Sequence, residues 1–232
     1  MLAEIALDGH ILGGTGGLNL DLLVDPFGNI VVKALNALPR PQSWAVTLEK
    51  NLPVAAGLGG GSADAGALFR LVKREYGLPQ DWHARAAALG ADVPACVRSE
   101  TCIGRGTGTE LEPIASDLAG MPVLLVNPRV PLATGPVFKH WDGVDRGPMP
   151  DGPVSRIAEA GRNDLEQPAL ALCPIIGEVL SLLDRTGARI ARMSGSGATC
   201  FALFEDAPAL RRAADMVRAE RGDWWLLEGH LR

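Results

Sequence analysis

The sequence predicts an α+β fold, and three observations carry that expectation. The first is Glu49 to Phe69, where a strand-like run leads into a glycine-rich loop and the loop leads at once into an alanine-rich, helix-favouring segment. The second is the order of patterns in the C-terminal half: helix, strand, turn, strand, helix, strand. That order suits an antiparallel sheet covered on one face by helices. The third is composition: 232 residues, 47% of them hydrophobic, with a formal charge of -5, are enough to bury a substantial core in one large domain or two small ones.

The elements follow in order. Ala3 to Leu7 is a short apolar run of strand length, ended by the turn pair Asp8-Gly9. Gly13-Gly14-Thr15-Gly16-Gly17 is glycine-dense, but no helical pattern follows it, so a surface loop is expected. Asn29 to Leu38 has helical spacing and stops before Pro39 and Pro41. Trp44 to Lys50 alternates as a strand. Ala63 to Tyr76 is a helix whose apolar face is Leu68, Phe69, Leu71, Val72 and Tyr76, with Gly77 as its stop. Asp81 is placed to cap a helix through Leu89.

Thr101 to Leu111 reads as two short strands joined by a glycine-rich turn, with Arg105 placed either to reach a phosphate or simply to be solvated. Val123 to Asn127 is a compact buried strand closed by Pro128, and Asp142 to Gly152, rich in Gly, Pro and Asp, is the best linker candidate. Pro174 to Thr186 is an amphipathic helix with Ile175, Ile176, Val179, Leu180, Leu182 and Leu183 inward. Arg192 to Phe204 is strand, small-residue turn, strand; Ala207 to Arg221 is a helix and Trp224 to Glu228 a strand.

The chemistry lies in the glycine loop. Four glycines in five residues (Gly57, Gly59, Gly60, Gly61) precede Ser62 and Ala63. Glycine lets main-chain N–H groups converge on one point, and a helix beginning there adds unpaired N–H groups and the positive end of its dipole. Together they make a cradle for phosphate. The P-loop and dinucleotide fingerprints are not met, since no G-K-[S/T] follows and the G-x-G-x-x-G spacing fails.

The run P-V-A-A-G-L-G-G-G-S-A-D-A, Pro53 to Ala65, resembles the second motif of the GHMP kinases. The flanking K-N-L-P and the triple glycine look most like the branch that acts on a cytidine diphosphate-linked methylerythritol in non-mevalonate isoprenoid synthesis. Further stretches are similar to that family. N-I-V-V-K-A-L-N-A-L resembles the helix bordering the adenine site; G-A-D-V-P resembles the segment that carries the catalytic base; and P-L-A-T-G-P-V-F resembles the segment beside the substrate. N-D-L-E at Asn163 to Glu166 opens a later helix, and M-S-G-S-G-A-T-C-F-A-L-F resembles the third motif.

The resemblance implies a two-lobed fold, with a lobe like ribosomal protein S5 domain 2 over residues 1–141 and a ferredoxin-like lobe over 142–232. It implies that Pro53, Val54, Ala55, Ala56, Gly57, Leu58, Gly59, Gly60, Gly61, Ser62 and Ala63 hold ATP, with Asn29 and Lys50 at the adenine. Asp92 would be the base that accepts or orients the proton of the 2-hydroxyl. Thr134 and Phe138 would face the substrate, and Gly195, Ser196 and Gly197 would form a turn able to approach the glycine loop. Mg2+ would bridge the phosphate oxygens; Ser62 is a candidate contact to it or to the β-phosphate, and equally a plain helix N-cap. An ordinary reading stands beside others: Asp92 as a turn cap, Thr134 as an N-cap, Asn29 as a surface residue.

Departures from the family pattern are Gly66 where alanine is usual, Ala95 where an aromatic residue is usual, and Ala198 where proline is common. Gly66 is expected to weaken its helix by ~1 kcal/mol. Segments of the P-A-K-I-N-L and G-R-R-x-D-G-Y-H types, which supply a lysine beside the base and contacts to the cytosine, are expected upstream and do not occur after Met1. A truncated, non-catalytic nucleotide-binding relative, in which turnover without that lysine and those contacts is very slow or absent, or a kinase for another small alcohol, is therefore the alternative reading. A hydrolase elbow at Gly60 to Asp64 is a poor match, because Asp64 stands in place of the last glycine.

Composition excludes other classes. With 22 Lys+Arg against 27 Asp+Glu there is no basic excess for nucleic acid. No apolar run approaches the ~20 residues of a membrane helix, and Met1 to Asp8 lacks a basic signal region, so a cytoplasmic monomer or homodimer is expected. Cys96, Cys102, Cys173 and Cys200 show no metal-ligand spacing, and no metal site built from side chains is expected.

Overall fold

A computed structural model describes residues 13–15, 29–39, 44–46, 48, 52–53 and 56–232. They form two compact units, one of residues 13–15, 29–39, 44–46, 48 and 59–113, the other of 52–53, 56–58 and 114–232. The expected strand at Ala3 to Leu7 lies outside the described residues.

The first unit runs β1 (Gly13–Thr15), α1 (Ile30–Ala37), β2 (Trp44–Val46), α2 (Gly60–Tyr76), α3 (Trp82–Leu89), α4 (Val93–Arg98), β3 (Cys102–Arg105) and β4 (Glu110–Pro113). β1 pairs antiparallel with β2, Gly13 opposite Val46 and Thr15 opposite Trp44. The glycine run read as a surface loop is therefore strand at Gly13 to Thr15. Glycine has little strand propensity of its own, and here the backbone ladder decides. β3 and β4 form the expected hairpin, and Arg105 pairs with Glu112 at 2.9 Å on its exposed side, which is the solvated reading of that arginine.

The helices of this unit share one core. Asn29 caps α1, its Oδ1 accepting the Val31 N–H at 2.8 Å, and Val31, Ala34 and Leu35 face inward at helical spacing. α2 buries Ala65, Leu68, Phe69 and Val72 against them. Tyr76, expected on that face, is 52% exposed, because the last turn of α2 runs out past the residues it packs on. Asp81 stands at the start of α3 without capping it and instead pairs with Arg85 at 2.8 Å. Arg85 also donates to Ala37 O at 2.7 Å, tying α3 to the end of α1.

Gly66 is where sequence reasoning needs most correction. Its cost to helix propensity stands, yet a Cβ there would lie 2.6 Å from both the carbonyl carbon and the Cβ of Cys96 on α4. The missing side chain lets α4 seat directly on α2. Gly66→Ala is thus expected to destabilise by about 1–2 kcal/mol net, the overpacking outweighing the helix gain, and urea denaturation checks the sign.

The second unit runs β5 (Pro122–Asn127), α5 (Thr134–His140), α6 (Val154–Ala160), α7 (Glu166–Leu172), α8 (Ile175–Arg185), β6 (Ile190–Met193), β7 (Cys200–Leu203), α9 (Ala207–Glu220) and β8 (Trp225–His230). Its sheet is antiparallel throughout, in the order β6-β7-β5-β8. With α8 linking β5 toward β6 and α9 linking β7 to β8, this is the split β-α-β arrangement of a ferredoxin-like lobe. Leu124 and Val126 of β5, Ile176, Val179 and Leu183 of α8, and Ala213, Ala214 and Val217 of α9 share one core.

Every residue of β5 is buried, and the strand lies between β7 and β8. The compact unit therefore takes in residues 114–141 as well as the 142–232 expected for the second lobe. Asp142 to Gly152 carries no helix or strand, in keeping with its composition. Asp206 caps α9 by accepting the Ala209 N–H at 2.7 Å. The helices α4 and α6 are short, and the sequence pattern did not mark them; of α5 it offered only Thr134 as a cap.

Candidate active site

The N-terminus of α2 begins at Gly60, three residues before the expected Ala63. Gly59 is its N-cap, with φ 64°, and contributes no side-chain cap. The first helical bond runs from Ala63 N–H to Gly59 O at 2.9 Å, which leaves the N–H groups of Gly60, Gly61 and Ser62 outside the ladder. No acidic side chain occupies the first turn to neutralise the positive end of this 17-residue helix. Ser62 sits in the third helical position, so it is not the N-cap, nor does it stand at the strand-to-helix elbow that a hydrolase nucleophile needs.

Asp92 lies beside this helix start within the same unit. A Cβ at Gly59 would be 4.0 Å from Asp92 Oδ2, and one at Gly90 would be 4.0 Å from Ser62 Oγ. Asp92 precedes α4, and its carboxylate makes no cap bond to that helix, so the turn-cap reading fails. The carboxylate is half-buried, and burial pushes its pKa above the ordinary aspartate value.

In the other unit, Ala56 to Leu58 are braced by the turn between β6 and β7. Thr199 N–H donates to Ala56 O at 3.2 Å, and Ser194 Oγ donates to Gly57 O at 2.9 Å. Gly57 has φ 71°, and a Cβ there would meet Ser194 O at 2.7 Å as well as the Gly197 carbonyl. Only glycine satisfies both the left-handed backbone and that approach. The turn Gly195, Ser196, Gly197 thus lies against the first glycine of the loop. Thr199 is fully buried, and its Oγ1 receives a hydrogen bond from Asn127 Nδ2 at 2.8 Å.

The remaining candidates fall as follows. Asn29 spends its side-chain oxygen on capping α1. Lys50, Val54 and Ala55 lie outside the described residues, while Pro53 is half-buried. Thr134 is the first residue of α5 rather than its cap, and its Oγ1 is 3.0 Å from Ser196 Oγ, so it meets the β6–β7 turn. Phe138, on the same helix, is 55% exposed. Sequence reasoning missed Asn163, whose Nδ2 donates to Met193 O at 3.1 Å and Gly195 O at 2.8 Å. None of the four cysteines is in a disulfide, and no cluster of three or more potential metal ligands occurs among the described residues.

Comparison with known proteins shows the family. The model described as GHMP kinases N terminal domain matches residues 29–100, and the one described as GHMP kinases C terminal matches 153–223. The 4-diphosphocytidyl-2-C-methyl-D-erythritol kinase of Novosphingobium aromaticivorans is 66% identical over 223 residues, covering 96% of this chain and 76% of that protein. The protein of the same name from Erythrobacter litoralis is 55% identical over 222 residues, covering 94% and 81%. A crystal structure of 4-(cytidine 5'-diphospho)-2C-methyl-D-erythritol kinase matches with a TM-score of 0.75 and 31% identity, over 94% of this chain and 84% of that one. With both halves matched by family models and relatives this similar along nearly its whole length, the chain belongs to the GHMP kinase family.

Proposed function

We propose that this chain transfers the γ-phosphoryl group of ATP to the 2-hydroxyl of 4-diphosphocytidyl-2-C-methyl-D-erythritol, a step of non-mevalonate isoprenoid synthesis. The similarity to kinases named for that substrate supports the substrate. The observation that carries the chemistry is Asp92: a half-buried carboxylate, unpaired among the described residues, beside the open N-terminus of α2.

Phosphoryl transfer asks a protein chiefly for positioning and for neutralisation of charge. The N–H groups of Gly60, Gly61 and Ser62, with the helix dipole behind them, suit the ATP phosphates, and Gly57 to Gly59 carry the chain to them. Asp92 accepts or orients the proton of the attacking hydroxyl, and its raised pKa brings it nearer to the working pH of a general base. Asn29 and Lys50 are assigned to the adenine, Thr134 and Phe138 to the substrate.

Mg2+ fits this donor set as a phosphate-held ion: Ser62 Oγ is in place at the helix start, and such an ion keeps most of its shell from phosphates and water. When bound, it neutralises charge on the phosphate oxygens. No helix among the described residues is long and apolar enough to cross a membrane, and with ATP as donor we assign the chain to the cytoplasm.

A coupled ADP-release assay with the diphosphocytidyl substrate, homoserine and mevalonate in parallel tests the assignment. Turnover with the first alone is expected. Comparable turnover with either of the others, or none with the first, contradicts it.

A further inference from the structure

We infer that Asn163 is a positioning residue for the ATP loop, acting through the turn between β6 and β7; this rests on the kinase reading above. Asn163 is half-buried just ahead of α7, and its one side chain makes three bonds. Oδ1 accepts the Leu165 N–H at 3.0 Å, which fixes the amide orientation and leaves both Nδ2 hydrogens for the turn. Those hydrogens reach Met193 O at 3.1 Å and Gly195 O at 2.8 Å, the two carbonyls that flank Ser194.

Ser194 is the residue whose hydroxyl donates to Gly57 O at 2.9 Å. A Cβ at Gly195 would lie 3.0 Å from that same Gly57 oxygen. Asn163 therefore grips the turn on both sides of its contact with the first glycine of the loop. Thr134 holds the turn at the next residue, Ser196, from another direction, at 3.0 Å. Without the clip the turn keeps its strands but loses the register that sets Gly57 at φ 71°. The loop then samples conformations unable to hold phosphate, and affinity falls with the competent fraction.

Asn163→Asp tests this, because it keeps the acceptor for Leu165 N–H and replaces both donors with a carboxylate oxygen that faces the Met193 and Gly195 carbonyls. Calorimetric ATP titration of the full chain is expected to show affinity weakened about five- to tenfold. Hydrogen exchange is expected to quicken in residues 56–58 and 194–199. Ser194→Ala is expected to weaken ATP binding in its own right, and the double variant to be no weaker than the poorer single one, since both act on one contact. A purely structural role would instead give additive losses and unchanged ATP affinity at temperatures where Asn163→Asp is folded.

Unchanged exchange in 56–58, unchanged ATP affinity in Asn163→Asp, or additivity in the double variant overturns the inference while leaving the proposed function standing. Failure of the unmutated chain to bind ATP overturns the proposed function, and this inference with it.

Discussion

Asp92→Asn is expected to lower turnover by about 10²-fold or more while leaving ATP affinity nearly unchanged. The substitution keeps size and much of the hydrogen bonding, and removes the proton acceptor. Because burial holds the carboxyl's pKa above its ordinary value, the acidic limb of kcat/KM in the unmutated chain should lie above the ~3.9 of a free aspartate, and the residual activity of the variant should lack that limb.

The same burial has a consequence for stability. A folded pKa above the unfolded one means that the native state binds more protons between those two values. The carboxylate therefore costs stability as pH rises through that window, and the cost persists above it. Asp92→Asn removes the cost. At neutral pH the inactive variant should melt higher than the unmutated chain, and the difference should shrink as pH falls into the ordinary aspartate range, where the carboxyl is protonated in both states. A variant that loses turnover and also melts lower at neutral pH would contradict the placement of an unpaired carboxylate there.

Gly57→Val should be the more damaging change to binding. A β-branched residue at φ 71° is strained by itself, and its Cβ would press on the Ser194 and Gly197 carbonyls, which are backbone atoms. ATP affinity is expected to fall at least tenfold or so, and stability by about 2 kcal/mol or more. Gly120→Val separates the two causes, since Gly120 has φ 80° but nothing within 4 Å of its Cβ position. That control should lose some stability and no ATP affinity. Equal ATP affinity in Gly57→Val and the unmutated chain, by calorimetry, would remove the glycine loop from the ATP site.

Much of this was legible in the residues. Local glycine chemistry marked the loop, helical periods marked α1, α2, α8 and α9, a compact apolar run marked β5, and motif resemblance singled out Asp92 from many aspartates. What was not legible depends on distant partners. Gly66 reads as a defect until Cys96 is placed against it. Asn163 reads as the opening of a helix, because its contacts lie about 30 residues away and go to backbone oxygens that no side-chain pattern records. Gly13 to Thr15 become strand only through Trp44 to Val46.

The start of α2 was misplaced for a related reason. Glycines are poor helix formers, yet Gly60 and Gly61 occupy the first turn because Gly59 in the left-handed region turns the chain into it. The role of Ser62 changed with that shift, from a possible cap to a hydroxyl at the third position. The short helices α4 and α6, of 6 and 7 residues, are too brief for a period to declare itself.

The most direct measurement of the central claim is phosphorus NMR of the product formed when the chain is incubated with ATP, Mg2+ and 4-diphosphocytidyl-2-C-methyl-D-erythritol. One new phosphomonoester signal per molecule of substrate consumed is predicted, coupled to the C2 position, with the diphosphate signals of the substrate intact and ADP formed in equal amount. ADP and inorganic phosphate without that monoester, or a chain that binds ATP and forms neither, would contradict the assignment of Asp92 and the glycine loop to phosphoryl transfer onto this hydroxyl.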